Sequence, residues 1–491
     1  MSFNSRNFVK RYKWWIVIWS AFLLERIVIF ATFWQASLDK GGWQNFYGQT
    51  QSAAAVFLMK FHEICDWHPP LYYFLTSVLL FFFKSQWAIY FVQIILAAVT
   101  VFLAYKIARL FFSERIALVS AFLLAIEPFW AWHNILLWSE NLSIPLTLVS
   151  LYYFLKFVKS GGLKNIYLAA IFTGLDVLTR PNTLLLLTFL FFWLIVVFLF
   201  RNRLGIEKLF WFNARQILIS FLIFLSAFFV VLAPWMIRNK IVYNRFTLAN
   251  ILSTNIYFYN LPPFIAMQKN ISYGDAYCQI QNTAANNLGE NVDDQGDCRK
   301  FTKEEFGQQL DFYQSYSRQY ILANFFPYLK MHLIKSLAFP VQPGYFEMWS
   351  GYTGEFSKPD VTGLITKGDW RGIGEFLGAV SPKLIVYLLG IILWVFASLA
   401  LLAACIYSYF QAKRENKVLR VERAGSYFKD KDKFLFFWLS LGIVVYNMLF
   451  LSPVVIARYR LPFYIFFFVP LVYVINLIYH LMRRDQHRHV D

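Results

Sequence analysis

The sequence predicts an all-α protein that crosses a membrane about ten times. Of its 491 residues, 58% are hydrophobic and only 15% are charged, which is too little polar surface to cover a soluble globule. Long apolar runs recur along the chain, each with roughly the ~20 residues that a helix needs to cross hydrocarbon. The net charge of +18 comes largely from the connections between these runs, so we expect no nucleic-acid partner.

The apolar runs divide the chain into three parts. We place spans at residues 14–34, 87–105, 116–130, 141–158, 165–179, 182–200, 216–237, 382–409, 434–452 and 461–481. No small-residue cleavage site follows the first run, so it is expected to be an uncleaved span. Residues 1–237 form an N-terminal transmembrane module, residues 238–380 an extracytoplasmic region, and residues 381–491 the C-terminal transmembrane helices.

The short apolar segment at residues 69–83 decides the topology. If it does not cross, the basic connections at residues 106–115, 156–164, 201–215 and 413–433 share one side with both termini. The positive-inside rule makes that side cytoplasmic. We therefore predict a juxtamembrane or re-entrant helix on the outer face for this segment.

The extracytoplasmic region is predicted to be mainly helical. Aromatic and aliphatic residues recur at helical spacing over residues 301–339, which indicates one or two amphipathic helices lying on the membrane. Cys278 and Cys298 both fall in this region and could pair if it faces an oxidising compartment. Chance placement of the two cysteines is the alternative.

Carboxylates and histidines collect in the outer connections of this topology. The acids could accept a proton from a hydroxyl or bind a hard divalent cation, or could be solvated charges: Asp39, Glu63, Asp66, Glu127 and Glu140. The last two adjoin apolar runs, where an idle charge is costly. His133 lies between them. A metal site of Glu63, Glu127 and His133 is a candidate, with Mg or Mn preferred to Zn because thiols and paired histidines are lacking.

Four arginines stand at span ends on the same outer face, against the charge rule: Arg180, Arg238, Arg458 and Arg460. Each alone could be an interfacial residue that keeps its charge in water. Together they indicate a shared anionic ligand, because a guanidinium offers a rigid fork of donors to phosphate oxygens. The simplest such ligand already present in a membrane is the headgroup of a polyprenyl phosphate.

Five motifs, in this order, resemble the type C glycosyltransferases. The similarity is to the branch that includes protein O-mannosyltransferases and lipid A aminoarabinose transferases. The motifs are His68-Pro69-Pro70-Leu71-Tyr72-Tyr73, Trp138-Ser139-Glu140-Asn141-Leu142, Gly174-Leu175-Asp176-Val177-Leu178-Thr179-Arg180-Pro181, Pro234-Trp235-Met236-Ile237-Arg238-Asn239 and Arg458-Tyr459-Arg460-Leu461-Pro462.

The resemblance implies transfer of a sugar from a polyprenyl-phosphate-linked donor at the extracytoplasmic face. The acceptor would be a glycan, a lipid or a protein hydroxyl, and the N-terminal module would be catalytic. A first-loop carboxylate, Asp39 or Asp66, would act as general base, with Glu140 as a further catalytic acid. His68 would bind phosphate or a metal, and the four arginines would hold the lipid phosphate. The protein would lie in the cytoplasmic membrane.

Two other classes of function remain open. A transporter or lipid flippase would show internal repeats and charges along a path through the bilayer, and the sequence has no obvious repeat. Its charges inside spans are Glu25, Arg26 and Asp176, and we expect the first two to pair with other spans. A non-catalytic assembly scaffold of the same fold is the second alternative.

Overall fold

The protein is helical throughout the part that the structure describes. The computed structural model describes residues 5–39, 68–204, 213–249, 251–289, 303–345, 348, 369–378, 382–418, 428–450 and 457–488. Within these ranges, eight helices are long and apolar enough to cross a membrane. The predicted fold class, an all-α integral membrane protein with many spans, is confirmed.

The first half of the chain supplies nine α-helices and one 3-10 helix, Pro181–Thr183, within the described ranges. The α-helices are α1 (Ser5–Asp39), α2 (Leu71–Phe83), α3 (Trp87–Phe111), α4 (Glu114–Ala125), α5 (Pro128–His133), α6 (Glu140–Ser160), α7 (Leu163–Val177), α8 (Leu184–Leu204) and α9 (Ala214–Tyr243). The domain boundary expected after residue 237 falls inside α9, which continues to its last residue without a break.

The second half contains the extramembrane helices and the last three spans. The helices are α10 (Ile251–Thr254), α11 (Leu261–Lys269), α12 (Tyr273–Leu288), α13 (Lys303–Ala323), α14 (Phe325–Ser336), α15 (Trp370–Gly378), α16 (Pro382–Val418), α17 (Phe428–Phe450) and α18 (Ile465–Arg488). A π-helical turn, Asn255–Asn260, joins α10 to α11, and a 3-10 helix, Ala457–Phe463, precedes α18.

Two of the predicted spans are shorter helices in the structure. The run at residues 116–130 is split into α4, with 12 residues, and α5, and the run at 165–179 becomes the 15-residue α7. The first is interrupted because Pro128 begins α5 and the Glu127 carboxylate accepts a hydrogen bond from the Trp130 amide at 2.7 Å. The second ends before Pro181, which favours extended backbone at the residue before it.

Close helix packing brings the ends of the spans together. Gly174 of α7 faces α9, where a Cβ atom would stand 2.8 Å from the Val231 Cβ atom. A glycine therefore lets these two helices approach more closely than any other residue would. At the same end, the Leu71 amide of α2 donates to the Leu178 carbonyl at 2.9 Å, which places the start of α2 beside the end of α7.

Helices α11 to α13 and the π-helical turn pack around an aromatic core of their own, and α14 contacts the end of α17. Tyr257, Phe258 and Tyr313 are buried in that core. The His332 ring of α14 is hydrogen-bonded through Nε2 to the carbonyls of Met448 and Leu449, at 3.1 and 3.0 Å, at the end of α17. Exposed apolar side chains form a stripe along α14: Phe326, Leu329 and Leu333, with Leu337 directly after the helix. A helix with such a stripe at this level suits the membrane interface.

Candidate anion-binding site

A buried carboxylate and two arginines meet where three separate segments end. Glu140 begins α6, Arg180 lies in the turn after α7, and Arg458 belongs to the 3-10 helix before α18. An ion pair joins the Glu140 Oε1 atom to the Arg180 guanidinium, and the Arg458 Nε atom lies 3.8 Å from the same oxygen. The two positive charges exceed the single negative charge, so the cluster keeps a net attraction for anions.

The two arginines are more exposed than the acid between them. The Glu140 side chain is 5% exposed, whereas those of Arg180 and Arg458 are 16% and 29% exposed. The carboxylate therefore lies behind the guanidiniums. An anion that arrives from outside meets the arginines first.

Local sequence explains how these residues are held. Arg180 has φ −148° and ψ 123°, an extended conformation that the following Pro181 favours. Its amide donates to the Asp176 carbonyl at 2.7 Å, so the turn stays attached to the end of α7. On the other side, the Asn141 amide group donates to the His133 and Leu136 carbonyls, both at 2.9 Å. These bonds fix the connection that leads into Glu140.

Asp176 connects the two helices that carry Arg180 and Glu140. Its buried carboxylate accepts hydrogen bonds from the Ser143 and Thr147 hydroxyls of α6, both at 2.5 Å. The bonds tie the end of α7, and with it the turn that carries Arg180, to the start of α6. In the sequence, Asp176 is unusual because it is an acid within an apolar run. The sequence does not show that its partners are Ser143 and Thr147.

Two histidines lie close to the charged cluster and are neutral at physiological pH. The pKa of His68 is lowered to about 4 by loss of water around the ring and then by the charge of Arg180. Burial likewise lowers the pKa of His133 to about 4, with Arg458 and Arg180 adding to the shift, although Glu140 and the Phe129 carbonyl act in the opposite direction. The His133 Nδ1 atom lies 2.9 Å from that carbonyl and so carries the proton.

A pocket extends from the two arginines along the faces of α6, α8 and α17. It encloses about 420 Å³, including its open mouth. Its polar end is formed by Glu140, Ser143, Arg180, Asn182, Thr183, Asn447 and Arg458. Its remaining walls are largely apolar or aromatic and consist of Ile144, Leu186, Tyr446, Tyr459, Pro462 and Phe463. The pocket thus combines a charged head with an apolar body.

The other two predicted arginines lie elsewhere. Arg460 is fully buried, and its guanidinium donates to the Phe339 carbonyl at 2.7 Å and the Gln342 carbonyl at 2.6 Å. The same guanidinium lies 3.6 Å from the centre of the Trp394 ring. Arg238 donates to the Asn239 side chain at 2.8 Å and stacks over Trp235. Neither lines the pocket, so neither is placed to bind an anion there.

Glu127 belongs to a second buried polar cluster beside α1. Tyr345 and the Arg26 and Arg460 charges surround it. Arg26 pairs with its neighbour Glu25 at 2.7 Å and also bonds Asn134 and the Ala125 carbonyl. Arg26 therefore forms the predicted contact between spans, because its bonds to Asn134 and the Ala125 carbonyl connect α1 to the α4–α5 region. Glu25 forms its ion pair with Arg26 of the same helix.

The described residues do not fit a metal site. Glu127 lies in the α1 cluster, whereas His133 lies beside Glu140, so these two proposed ligands face different surroundings. Over the described ranges, no group of three or more His, Cys, Asp or Glu residues is placed to hold a metal ion. The third proposed ligand, Glu63, falls outside these ranges.

The proposed general bases also fall outside the described side chains. Asp39 is the last residue of α1, but its side chain is not described, and Asp66 lies between the described segments. Cys278 is exposed on α12. Its suggested partner Cys298 is not among the described residues, and the pairing stays a prediction.

Fold and site define a helical integral membrane protein with a charged pocket at the ends of its spans. The family described as dolichyl-phosphate-mannose-protein mannosyltransferase matches residues 67–233, about a third of the chain. The matched segment includes His68, Glu140 and Arg180. The match confirms, for this segment, the resemblance that the motifs predicted. No curated protein matches the chain.

The solved structures that are similar to the chain include three with 14% sequence identity each. Archaeal oligosaccharyltransferase AglB from Archaeoglobus fulgidus, in complex with an inhibitory peptide and a dolichol-phosphate, has a TM-score of 0.43. The oligosaccharyltransferase of that organism in the apo form has a TM-score of 0.49. Both alignments cover 98% of this chain and 52% of the other, so the chain spans about half their length. ArnT from Cupriavidus metallidurans, bound to undecaprenyl phosphate, has a TM-score of 0.38, with 94% of this chain and 77% of that chain covered.

Proposed function

We propose that the protein is an integral-membrane glycosyltransferase that takes a sugar from a polyprenyl-phosphate-linked donor and passes it to an acceptor hydroxyl. The observation that carries this proposal is the pocket with Arg180 and Arg458 at its charged end and apolar walls beyond them. A polyprenyl phosphate has the same division into a charged head and an apolar chain. The family match over residues 67–233 supports the choice of reaction.

The position of the pocket suits a ligand that arrives from the bilayer. Its walls come from α8 and α17, two of the helices that can cross a membrane. Leu184 and Leu185 of α8, and Leu449 and Phe450 of α17, expose apolar side chains near the pocket residues of the same helices. A prenyl chain can lie against these side chains while its phosphate reaches the arginines.

The chemistry assigned to the arginines is stabilisation of the leaving group. When the acceptor oxygen bonds to the anomeric carbon, the bond from that carbon to the phosphate oxygen breaks and negative charge grows on the lipid phosphate. Two guanidiniums already placed around that phosphate stabilise the charge without having to move. The acceptor proton passes to a carboxylate, for which we propose Asp39 or Asp66 on the basis of the family resemblance.

Glu140 is better suited to positioning than to proton transfer. A carboxylate between two guanidiniums is a poor proton acceptor, because protonation would weaken both ion pairs. We therefore propose that Glu140 keeps Arg180 and Arg458 in the site while no ligand is bound, and that an anionic ligand competes with it for the two guanidiniums. The proposed orientation puts this end of the bundle on the extracytoplasmic side, since Lys106, Lys156 and Lys159 cluster at the opposite ends of their helices.

The test is transfer from a purified lipid-linked sugar by the protein with Arg180→Ala or Arg458→Ala. Arg371→Ala is the matched control, because that arginine is highly exposed on α15 and pairs only locally with Glu375. We expect both pocket variants to lose most transfer activity and the control to keep it. Full transfer by both pocket variants would remove the phosphate-binding role.

Product analysis separates the enzyme from a carrier. A transferase releases free polyprenyl phosphate as the donor is consumed, whereas a flippase moves the donor without consuming it. For the base, Asp39→Asn and Asp66→Asn are compared for transfer and for donor binding. The base variant should bind the donor normally and fail to turn it over; normal turnover in both variants would exclude both residues.

A further inference from the structure

Hydrogen-bond acceptors lie beside the two arginines at the polar end of the pocket. Asn447 of α17 lines the pocket and is 2% exposed. Its Nδ2 atom donates to the Ile443 carbonyl at 2.6 Å, which fixes the orientation of the amide, because a carbonyl can only accept. Its Oδ1 atom is buried and has no hydrogen-bond partner in the part of the chain that the structure describes. A buried acceptor without a donor costs free energy, so this atom is suited to a ligand that brings one.

Two hydroxyl groups at the same end also offer acceptors. The Ser143 hydroxyl donates to the Asp176 carboxylate at 2.5 Å. The Thr183 hydroxyl donates to the Arg180 carbonyl at 3.2 Å. A hydroxyl has a single proton, so each of these groups has only lone pairs left for a ligand. With the Asn447 amide oxygen, the polar end thus presents three oxygen acceptors as well as two guanidiniums.

Helix α17 is held next to the segment that carries Arg180. The Tyr446 hydroxyl donates to the Asn182 carbonyl at 3.3 Å, and Asn182 follows Arg180 by two residues. The Tyr459 ring lines the same pocket, and its centre is 5.8 Å from the Arg180 guanidinium carbon and 5.5 Å from that of Arg458. The acceptors, an aromatic ring and the two arginines therefore belong to one pocket.

These acceptors select the chemistry of the group that they contact. An ionised phosphate oxygen is itself an acceptor, and a prenyl chain has no polar hydrogen, so neither can pair with the Asn447 amide oxygen. In a polyprenyl-phosphate-linked donor, the sugar hydroxyls are the hydrogen-bond donors, and the sugar is bonded directly to the phosphate. A phosphate on Arg180 and Arg458 therefore brings those hydroxyls to the same end of the pocket. The Tyr459 ring offers an apolar face to the C–H groups of a sugar ring.

We propose that the polar end of the pocket binds the donor sugar, and that Asn447 recognises one of its hydroxyls. Ser143 and Thr183 accept hydrogen bonds from neighbouring hydroxyls. After transfer the lipid phosphate has no sugar, so Asn447 loses its partner, and the pocket distinguishes the donor from the spent lipid. This inference rests on the proposed function, because it needs the phosphate of the same lipid on the two arginines.

The test compares two binding constants, so that the contributions of the phosphate and the prenyl chain cancel. The Kd of the full-length protein is measured in detergent, by native mass spectrometry, for polyprenyl phosphate and for its mannosyl and glucosyl derivatives. Asn447→Leu removes the amide at similar size, and Asn447→Ala is measured beside it in case the larger apolar side chain prevents folding. Ser440→Ala is the matched control, because Ser440 is buried on α17, donates to the carbonyl four residues before it as Asn447 does, and does not line the pocket.

We expect the ratio of the Kd for the bare lipid to the Kd for a glycosylated lipid to fall about tenfold in both Asn447 variants, the effect of losing one buried hydrogen bond. The ratio should stay unchanged in Ser440→Ala. An unchanged ratio in the Asn447 variants, with both kinds of lipid still bound, would overturn the sugar site and leave the proposed function intact. Equal weakening for both kinds of lipid would give Asn447 a structural role and would also overturn the sugar site. Failure of the wild type to bind any of the three lipids would refute the proposed function, and this site with it.

Discussion

Substitution of Glu140 by Gln tests the ion-pair cluster directly. The change keeps the shape of the side chain but removes the charge between Arg180 and Arg458. A unit pair about 4 Å apart attracts by about 4 kcal/mol at an effective dielectric of 20, and the cost of desolvating the buried carboxylate offsets much of that gain. Because both arginines keep some contact with water, we expect a net loss of about 2 kcal/mol in the free energy of unfolding.

The same substitution should strengthen anion binding. Without Glu140 the two guanidiniums repel each other, and a bound phosphate would relieve that repulsion. The assay is thermal unfolding in detergent, with and without polyprenyl phosphate, for the wild type and Glu140→Gln. We expect a Tm about 2 °C lower without ligand and a larger rise with ligand than in the wild type.

A matched control distinguishes this effect from a general loss of charge. Glu375 pairs with Arg371 on the surface of α15, and both side chains are highly exposed. Glu375→Gln should leave Tm and the response to ligand almost unchanged, since exposed pairs contribute little. If Glu140→Gln is as stable as the wild type and gains no extra response to polyprenyl phosphate, the account of the cluster is wrong.

Three further predictions concern Arg458, the two buried histidines and the close contact between α7 and α9. Arg458→Ala should raise the KM for the donor with a smaller fall in kcat than Arg180→Ala, because Arg458 is the more exposed and more distant partner; steady-state kinetics of the two variants checks this. Since the pKa values of His68 and His133 are lowered to about 4, each contributes stability that is complete above pH 6.5 and is lost as pH falls from 6.5 towards 4; replacing either by Gln should flatten Tm against pH in that window. Gly174→Ala should destabilise the protein by about 1–3 kcal/mol, because its Cβ would overlap the facing valine of α9, whereas Gly374→Ala, with open space around it, should be tolerated in thermal unfolding.

Much of the cluster could be predicted from the sequence because of where its charges fall. Glu140 and Arg180 each stand where an apolar run begins or ends, and a charge at such a position is costly unless it is paired or used. The sequence could show that both were unusual, and the topology put them on the same face. It could not show that they touch, since that depends on how α6, α7 and the last 3-10 helix converge.

The arginines show the limit of this reasoning. Arg458 and Arg460 are two positions apart and look equivalent in the sequence, but one lines the pocket and the other is buried against backbone carbonyls. Residues two apart in a 3-10 helix point in directions about 120° apart, because each turn has about 3.0 residues. Which of them faces the pocket depends on the segment around Phe339, whose position the sequence does not reveal.

The spacing of charges in the cluster also constrains the kind of ligand it can accept. Without a ligand, Glu140 neutralises part of the charge of Arg180 and Arg458, which lowers the cost of holding these partly buried arginines away from water. A ligand with an anionic head must compete with this internal carboxylate, and a neutral sugar or lipid gains nothing from the two guanidiniums. The pocket therefore favours a ligand whose negative charge reaches both arginines at once, and a phosphate with several oxygens does so more readily than a single hydroxyl or amide.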